Sequence, residues 1–205
     1  GNTKAVLTVE KVGKVDLPAP DIFFGNDKME VTDTDIYKSD QAFTQGQMIT
    51  VTGIDNLNEW WIDPDFFEKQ SDGALKFLPI NGDYRVTANA VLKYFSVMAL
   101  KDGKPAKLQD DGTGAIWAIG KGIGKPSVTS SEVGWEPSKA LCLAQVASKK
   151  YQLTLKAGET LKTSGDPEVI SFKFFHQNDW GGEFGNYASS ILVEQLKLAD
   201  SGNLE

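Results

Sequence analysis

Most segments of this 205-residue chain alternate at period two, and that pattern restricts the chain to folds built from sheets. The strand-like runs are Ala5–Val12, Met48–Thr52, Tyr84–Thr87, Tyr94–Met98, Ile116–Ile119, Tyr151–Leu155, Phe172–Phe175 and Ile191–Val193. All are β-branched or aromatic in content. Turn signals separate them: Ser71-Asp72-Gly73, Asn81-Gly82-Asp83, Lys101-Asp102-Gly103, Asp111-Gly112 and Ala157-Gly158. Many short strands and few helix signals predict an all-β chain. Two stretches, Val91–Leu100 and Ser138–Val146, carry apolar residues at mixed spacing. Pro137 suits the first position of a short helix in the second, which competes there with a strand.

A constant offset orders these runs. Ile49-Thr-Val-Thr-Gly53 and Ile116-Trp-Ala-Ile-Gly120 lie 67 positions apart, as do Tyr84-Arg-Val-Thr87 and Tyr151-Gln-Leu-Thr154. Tyr94-Phe95 then matches Phe174-Phe175 if Thr163–Pro167 forms a longer turn in the second copy. The expected organisation is two tandem β-sandwiches, residues 1–103 and 104–205, joined across the polar segment Lys101–Gly114. Ala5–Val12 either closes a sheet of the first unit or ends a preceding domain, and the chain is expected to be part of a longer protein.

Charge and composition narrow the function. Twenty-one Lys and Arg against 28 Asp and Glu give a net charge of −7, so the basic footprint that phosphate neutralisation demands is missing. Nucleic acid and anionic membrane surfaces are therefore not expected partners. One cysteine, Cys142, cannot form an internal disulfide or a thiolate zinc site, and one histidine, His176, starves most metal and nucleophile–base sites of parts. No apolar run reaches the roughly 18 to 20 residues of a membrane helix. No cofactor is expected.

The tryptophans are the clearest functional candidates. Trp60-Trp61 sits in a polar loop, Asp55 to Asp65, where alternation allows at most one ring in the core. Trp135 lies in Val133-Gly-Trp-Glu-Pro137, and Trp180 in His176-Gln-Asn-Asp-Trp-Gly-Gly-Glu-Phe184. Trp117, inside a strand, is expected to be core. An indole flanked by amides and carboxylates matches a sugar ring, which offers C–H faces to the aromatic and hydroxyls to the polar rim. The competing expectation is that loop tryptophans plug the ends of a sandwich. Asp63, Asp65, Asp179 and Glu183 are the acids a glycosidase pair would draw on, but nothing in the sequence sets two of them across a cleft. Asp55-Asn-Leu-Asn-Glu59 alternates oxygen ligands without the glycine and distal glutamate of an EF-hand. His176 is read as structural, and Gly120-Lys-Gly-Ile-Gly124 as a flexible turn.

Ile116-Trp-Ala-Ile-Gly-Lys-Gly-Ile-Gly-Lys-Pro126, Gly134-Trp135, Lys150-Tyr-Gln-Leu-Thr154 and Phe172-Lys-Phe-Phe-His-Gln-Asn-Asp-Trp-Gly-Gly-Glu-Phe184 resemble, in order and spacing, the repeated domains of SusE/SusF-type outer-membrane lipoproteins of starch-utilisation systems. The resemblance covers the second copy; the first matches only loosely. It implies immunoglobulin-like β-sandwiches on the extracellular face of the outer membrane, lipid-anchored beside a transporter, with no catalysis. It implies a glycan site at Trp135 and Trp180, with Lys173, Gln177 and Asn178 as polar neighbours. Trp60 and Trp61 are added on the physical argument alone. The family's lipidated cysteine has no counterpart in these residues, so the anchor is implied by the resemblance alone. Two other functions compete: a structural or protein-binding spacer, and a glycoside hydrolase or its accessory domain.

Overall fold

The structure is a computed structural model, and residues 19–183 are described. The runs expected over Ala5–Val12 and Ile191–Val193 lie outside the described residues. The chain is all-β, two antiparallel sandwich-like units in tandem.

The first unit is organised by the hairpin of Gly82–Asn89 and Tyr94–Lys101, in register from Tyr94↔Asn89 to Leu100↔Asp83. Ile36–Phe43 pairs with the other edge of Gly82–Asn89 along its whole length, and Glu30–Asp33 and Lys104–Pro105 complete a five-stranded sheet. Alternation holds: Tyr84, Val86 and Ala88 are buried on one face, as are Phe95 and Val97. A facing layer consists of two small sheets, one built on Phe23–Phe24 and one on Leu75–Phe77. The run Met48–Thr52 splits between them. Met48–Ile49 joins Leu75–Phe77, and Val51–Thr52 joins Phe23–Phe24. Aromatic rings fill the space between the layers. Phe24 meets Phe95 at 5.2 Å, and Phe77 lies 4.8 Å from Phe43 and 4.9 Å from Tyr84. Each such ring contributes about 1.5–3 kcal/mol on burial.

In the second unit the long strand Trp117–Gly124 pairs with Ser171–Phe175, Glu132–Gly134 and Leu141–Cys142. The glycine run is no flexible turn. It forms the buried end of this strand, where a Cβ on Gly120 would stand 2.3 Å from the Phe172 Cα. The glycines are there because neighbouring backbone lies in contact. Pro137–Lys139 is a single 3-10 turn with Pro137 at its start, and the rest of Ser138–Val146 is strand, Leu141–Cys142 and Ala144–Ala147. Val91–Leu100 is a turn leading into the Tyr94 strand.

The 67-residue offset does not survive as topology. Tyr84 lies in an eight-residue central strand, whereas Tyr151 lies in Lys150–Gln152, paired with Ala144–Ala147. Nor is Lys101–Gly114 an open linker. Asp102 and Gly103, with φ 53 and 73, form a two-residue hairpin turn that returns Lys104–Pro105 to the first sheet. Likewise, Gly82 and Asp83 begin a strand rather than a turn.

The units share a continuous core. Ile80 N–H donates to the Gln145 carbonyl at 2.8 Å, and Leu108 N–H to that of His176 at 2.8 Å. The Trp117 Nε1–H donates to the Ala106 carbonyl at 3.0 Å. That tryptophan is core, as its strand position implies.

Candidate functional site

Phe172–Phe175 leads directly into the loop that carries Trp180. Phe175 bridges to Glu183, and His176 N–H donates to the Gly182 carbonyl at 2.8 Å, so the loop closes on itself. Gly181 and Gly182 make the reversal at φ 85 and 68, a conformation that side chains disfavour. Asp179 accepts the Trp180 N–H at 2.7 Å, and the Gln177 amide donates to the Trp180 carbonyl at 2.6 Å. The loop therefore holds its indole in place through its own polar groups.

That indole is 50% exposed. It stacks on Trp135 with centroids 6.3 Å apart and 26° between planes, and Phe175 meets it edge-on at 6.0 Å. Trp135 stands just past the strand Glu132–Gly134 and packs partly on the core. The two tryptophans named from the sequence, 45 positions apart, thus form one surface. Lys173 is half-buried on the strand face it shares with Phe175, two residues away. Gln177 and Asn178 are half-buried in the loop, where Gln177 acts as a strut.

The Trp60-Trp61 pair is different. Trp60 is buried and stacked on Phe95 at 4.7 Å, so it is core and offers no shelf. The alternation puts only Trp61 outward. It is half-buried, its backbone N–H donating to the Lys93 carbonyl at 2.8 Å, and the Lys125 Nζ lies 5.9 Å from its ring centroid. Trp61 therefore sits at the seam between the units and does not join Trp135 and Trp180.

Beneath it lies a cluster whose lysine the sequence did not connect to its aspartates. Lys125 Nζ donates to both Asp63 oxygens, at 2.9 and 2.8 Å, and to Asp65 at 2.7 Å. Thr154 binds Asp65 through N–H and Oγ1, each at 2.7 Å. All three charged side chains are buried. Burial outweighs Lys125 and pushes the Asp63 carboxyl up. For Asp65, burial also raises, but Lys125 and the Thr154 donors overcome it and hold the carboxyl below its ordinary range. The only hints were an Asp-Pro-Asp next to Phe66-Phe67, and a lysine ending a glycine-rich apolar run. These two aspartates are joined by one lysine and do not face each other across a cleft. Asp179 serves the Trp180 loop. Asp55–Glu59 is no ion loop in its backbone path: Asn56 turns left-handed at φ 56 into the 3-10 turn Leu57–Glu59, and Glu59 pairs with Lys93. Among the described residues no group of three His, Cys, Asp or Glu is placed to hold a metal.

Two families tile the chain. Residues 12–108 match a domain of unknown function, DUF5125, and residues 111–205 match another, DUF5121. They meet in the turn-rich segment after Lys104–Pro105. No curated protein and no solved structure matches the chain.

Proposed function

We propose that this chain is a non-catalytic carbohydrate-binding protein that holds polysaccharide on an aromatic platform, at the extracellular face of an outer membrane and beside a transporter, as the resemblance to SusE/SusF-type lipoproteins implies. The observation that carries the reading is the Trp180 indole, half in water and stacked on Trp135. An exposed aromatic of this size, held by its loop and by Trp135 and Phe175 against it, is what a sugar ring's apolar face requires. Lys173 and Asn178 supply polar groups on the same strand and loop.

A shallow platform buries little area and exchanges sugar–water hydrogen bonds for similar ones, so the affinity is weak, about micromolar to millimolar. Retention on starch, other α-glucans and plant or host polysaccharides, followed by calorimetry on whichever glycan retains the chain, tests the proposal. Trp180→Ala removes retention while leaving the melting temperature within a few degrees. A folded protein retained by none of these glycans, or a Trp180→Ala variant retained as well as the parent, refutes it.

The seam favours a second reading, a rigid spacer. A buried ion cluster and shared core hold the two units in one orientation, which suits a module that positions its neighbours.

A further inference from the structure

Lys125 follows the last residue of the strand Trp117–Gly124 in the second unit, and Asp63 and Asp65 belong to the loop after Trp61 in the first. The three side chains are 5%, 7% and 1% exposed. The lysine nitrogen lies 2.9 and 2.8 Å from the two Asp63 oxygens and 2.7 Å from Asp65 Oδ2. A nitrogen bound to both oxygens of one carboxyl stands within the roughly 3–3.5 Å of their shared carbon that reacting atoms need. Taking an ammonium and a carboxylate out of water is costly, whereas an amide made from the two carries no charge.

Their surroundings give the two aspartates different roles. Burial moves Asp63 toward its acid form, whose hydroxyl can leave as water. Against burial, Lys125 and the two Thr154 donors hold Asp65 as a carboxylate, a base in contact with the lysine nitrogen. Asp63 and Lys125 also line a cavity of about 220 Å³, open to a departing water. Two further groups on that wall are poor rivals for Asp63. Lys139 is half exposed and paired with Glu136 at 2.9 Å, and burial pushes the Cys142 thiol up to about 12, so it stays neutral.

We propose that this cluster closes into an intramolecular isopeptide bond between Lys125 Nζ and Asp63 Cγ, a covalent tie between the two units that the chain makes for itself. Lys125 first passes one ammonium proton to Asp63, which leaves a neutral amine against a carboxylic acid. The amine lone pair attacks Asp63 Cγ, and the C–N bond forms as the carbonyl electron pair moves onto oxygen. Asp65 takes a proton from the nitrogen and returns it to the Asp63 hydroxyl. The C–O bond then breaks, the carbonyl re-forms, water leaves, and Asp65 is again a carboxylate. One amine and one carboxylic acid become one amide and one water, with nothing oxidised or reduced. The buried ion cluster is the reactant of this step, and its electrostatics describe the chain before the bond closes. The tie stands whether or not the platform binds polysaccharide.

Intact mass spectrometry of the whole chain, folded at neutral pH and then denatured, tests it. The expected mass lies one water, about 18 Da, below that of the sequence. Proteolytic digestion then yields a branched peptide that joins the Asp63 and Lys125 segments. Lys125→Arg keeps a cation against both carboxyl groups but offers no amine, and Asp65→Asn removes the base; both variants keep the full mass, with folding read by circular dichroism. Should either variant fail to fold, the mass and the branched peptide of the parent still decide. A parent chain that holds its full mass after days in the folded state overturns the proposal. A loss of water that persists in Lys125→Arg belongs to an aspartyl–glycine turn such as Asp72-Gly73 and overturns it too, as does a loss that persists in folded Asp65→Asn. None of these outcomes bears on polysaccharide retention, so the tie and the platform are refuted separately.

Discussion

Replacing Lys125 with methionine keeps the stem and deletes only the charge. Asp63 and Asp65 then stay buried without their shared ammonium, and three charge-assisted bonds of 2.7 to 2.9 Å are lost. Asp65 keeps the two Thr154 donors, and Asp63 keeps the Asp65 N–H, at 3.0 Å. Breaking a buried pair on one side costs about 3–5 kcal/mol, which at about 2–4 °C per kcal/mol for a chain of this size lowers the melting temperature by about 6–20 °C. The loss depends on pH. Without the lysine, burial and mutual repulsion raise both carboxyl pKa values in the folded chain. The native state then keeps protons that the unfolded chain releases above its ordinary 3.8, so the penalty grows as pH rises through that region and shrinks in acid. Urea unfolding at pH 7.5 and pH 4.5 reads both effects. Adding Asp63→Leu removes one stranded charge and recovers part of the loss, a coupling that a double-mutant cycle measures. A Lys125→Met variant within about 0.5 kcal/mol of the parent, or one equally destabilised at both pH values, refutes the account of the seam.

Gly120→Ala forces a Cβ to within 2.3 Å of the Phe172 backbone and the Ser171 carbonyl; loss of soluble folded protein, or of several kcal/mol by urea unfolding, is expected. Trp117→Phe removes the donor to the Ala106 carbonyl and leaves a void in the core, costing about 2–4 kcal/mol by calorimetric melting. In the parent chain the lowered Asp65 carboxyl stabilises the fold above its ordinary pKa of 3.8, and this contribution is lost as pH falls through the lowered value; Asp65→Asn flattens that part of an acid-unfolding curve. Arg85→Ala breaks a bidentate pair with Asp40, yet both side chains are partly exposed, so urea unfolding shifts by less than about 1 kcal/mol.

Much of the candidate site was legible because it is local. Trp180 and the residues that hold its loop lie within a few positions of one another, and short-range hydrogen bonds with Asp179 and Gln177 need no distant partner. Trp60 was misassigned as a platform because polar neighbours describe a loop's composition and not where its ring packs; its partner, Phe95, lies 35 positions on. The repeat misled for a related reason. Similar alternation makes similar strands, but strand order depends on pairings between segments far apart in the chain.

By itself the sequence settled the all-β class and Trp117 as core, since period-two alternation and turn chemistry act within a few residues. The tertiary structure alone decided that Trp135 and Trp180 stack, that the glycine run is buried strand, and that Asp63 and Asp65 meet Lys125 some 60 residues away. A buried charge finds its counter-charge through space, and spacing along the chain carries no record of that distance.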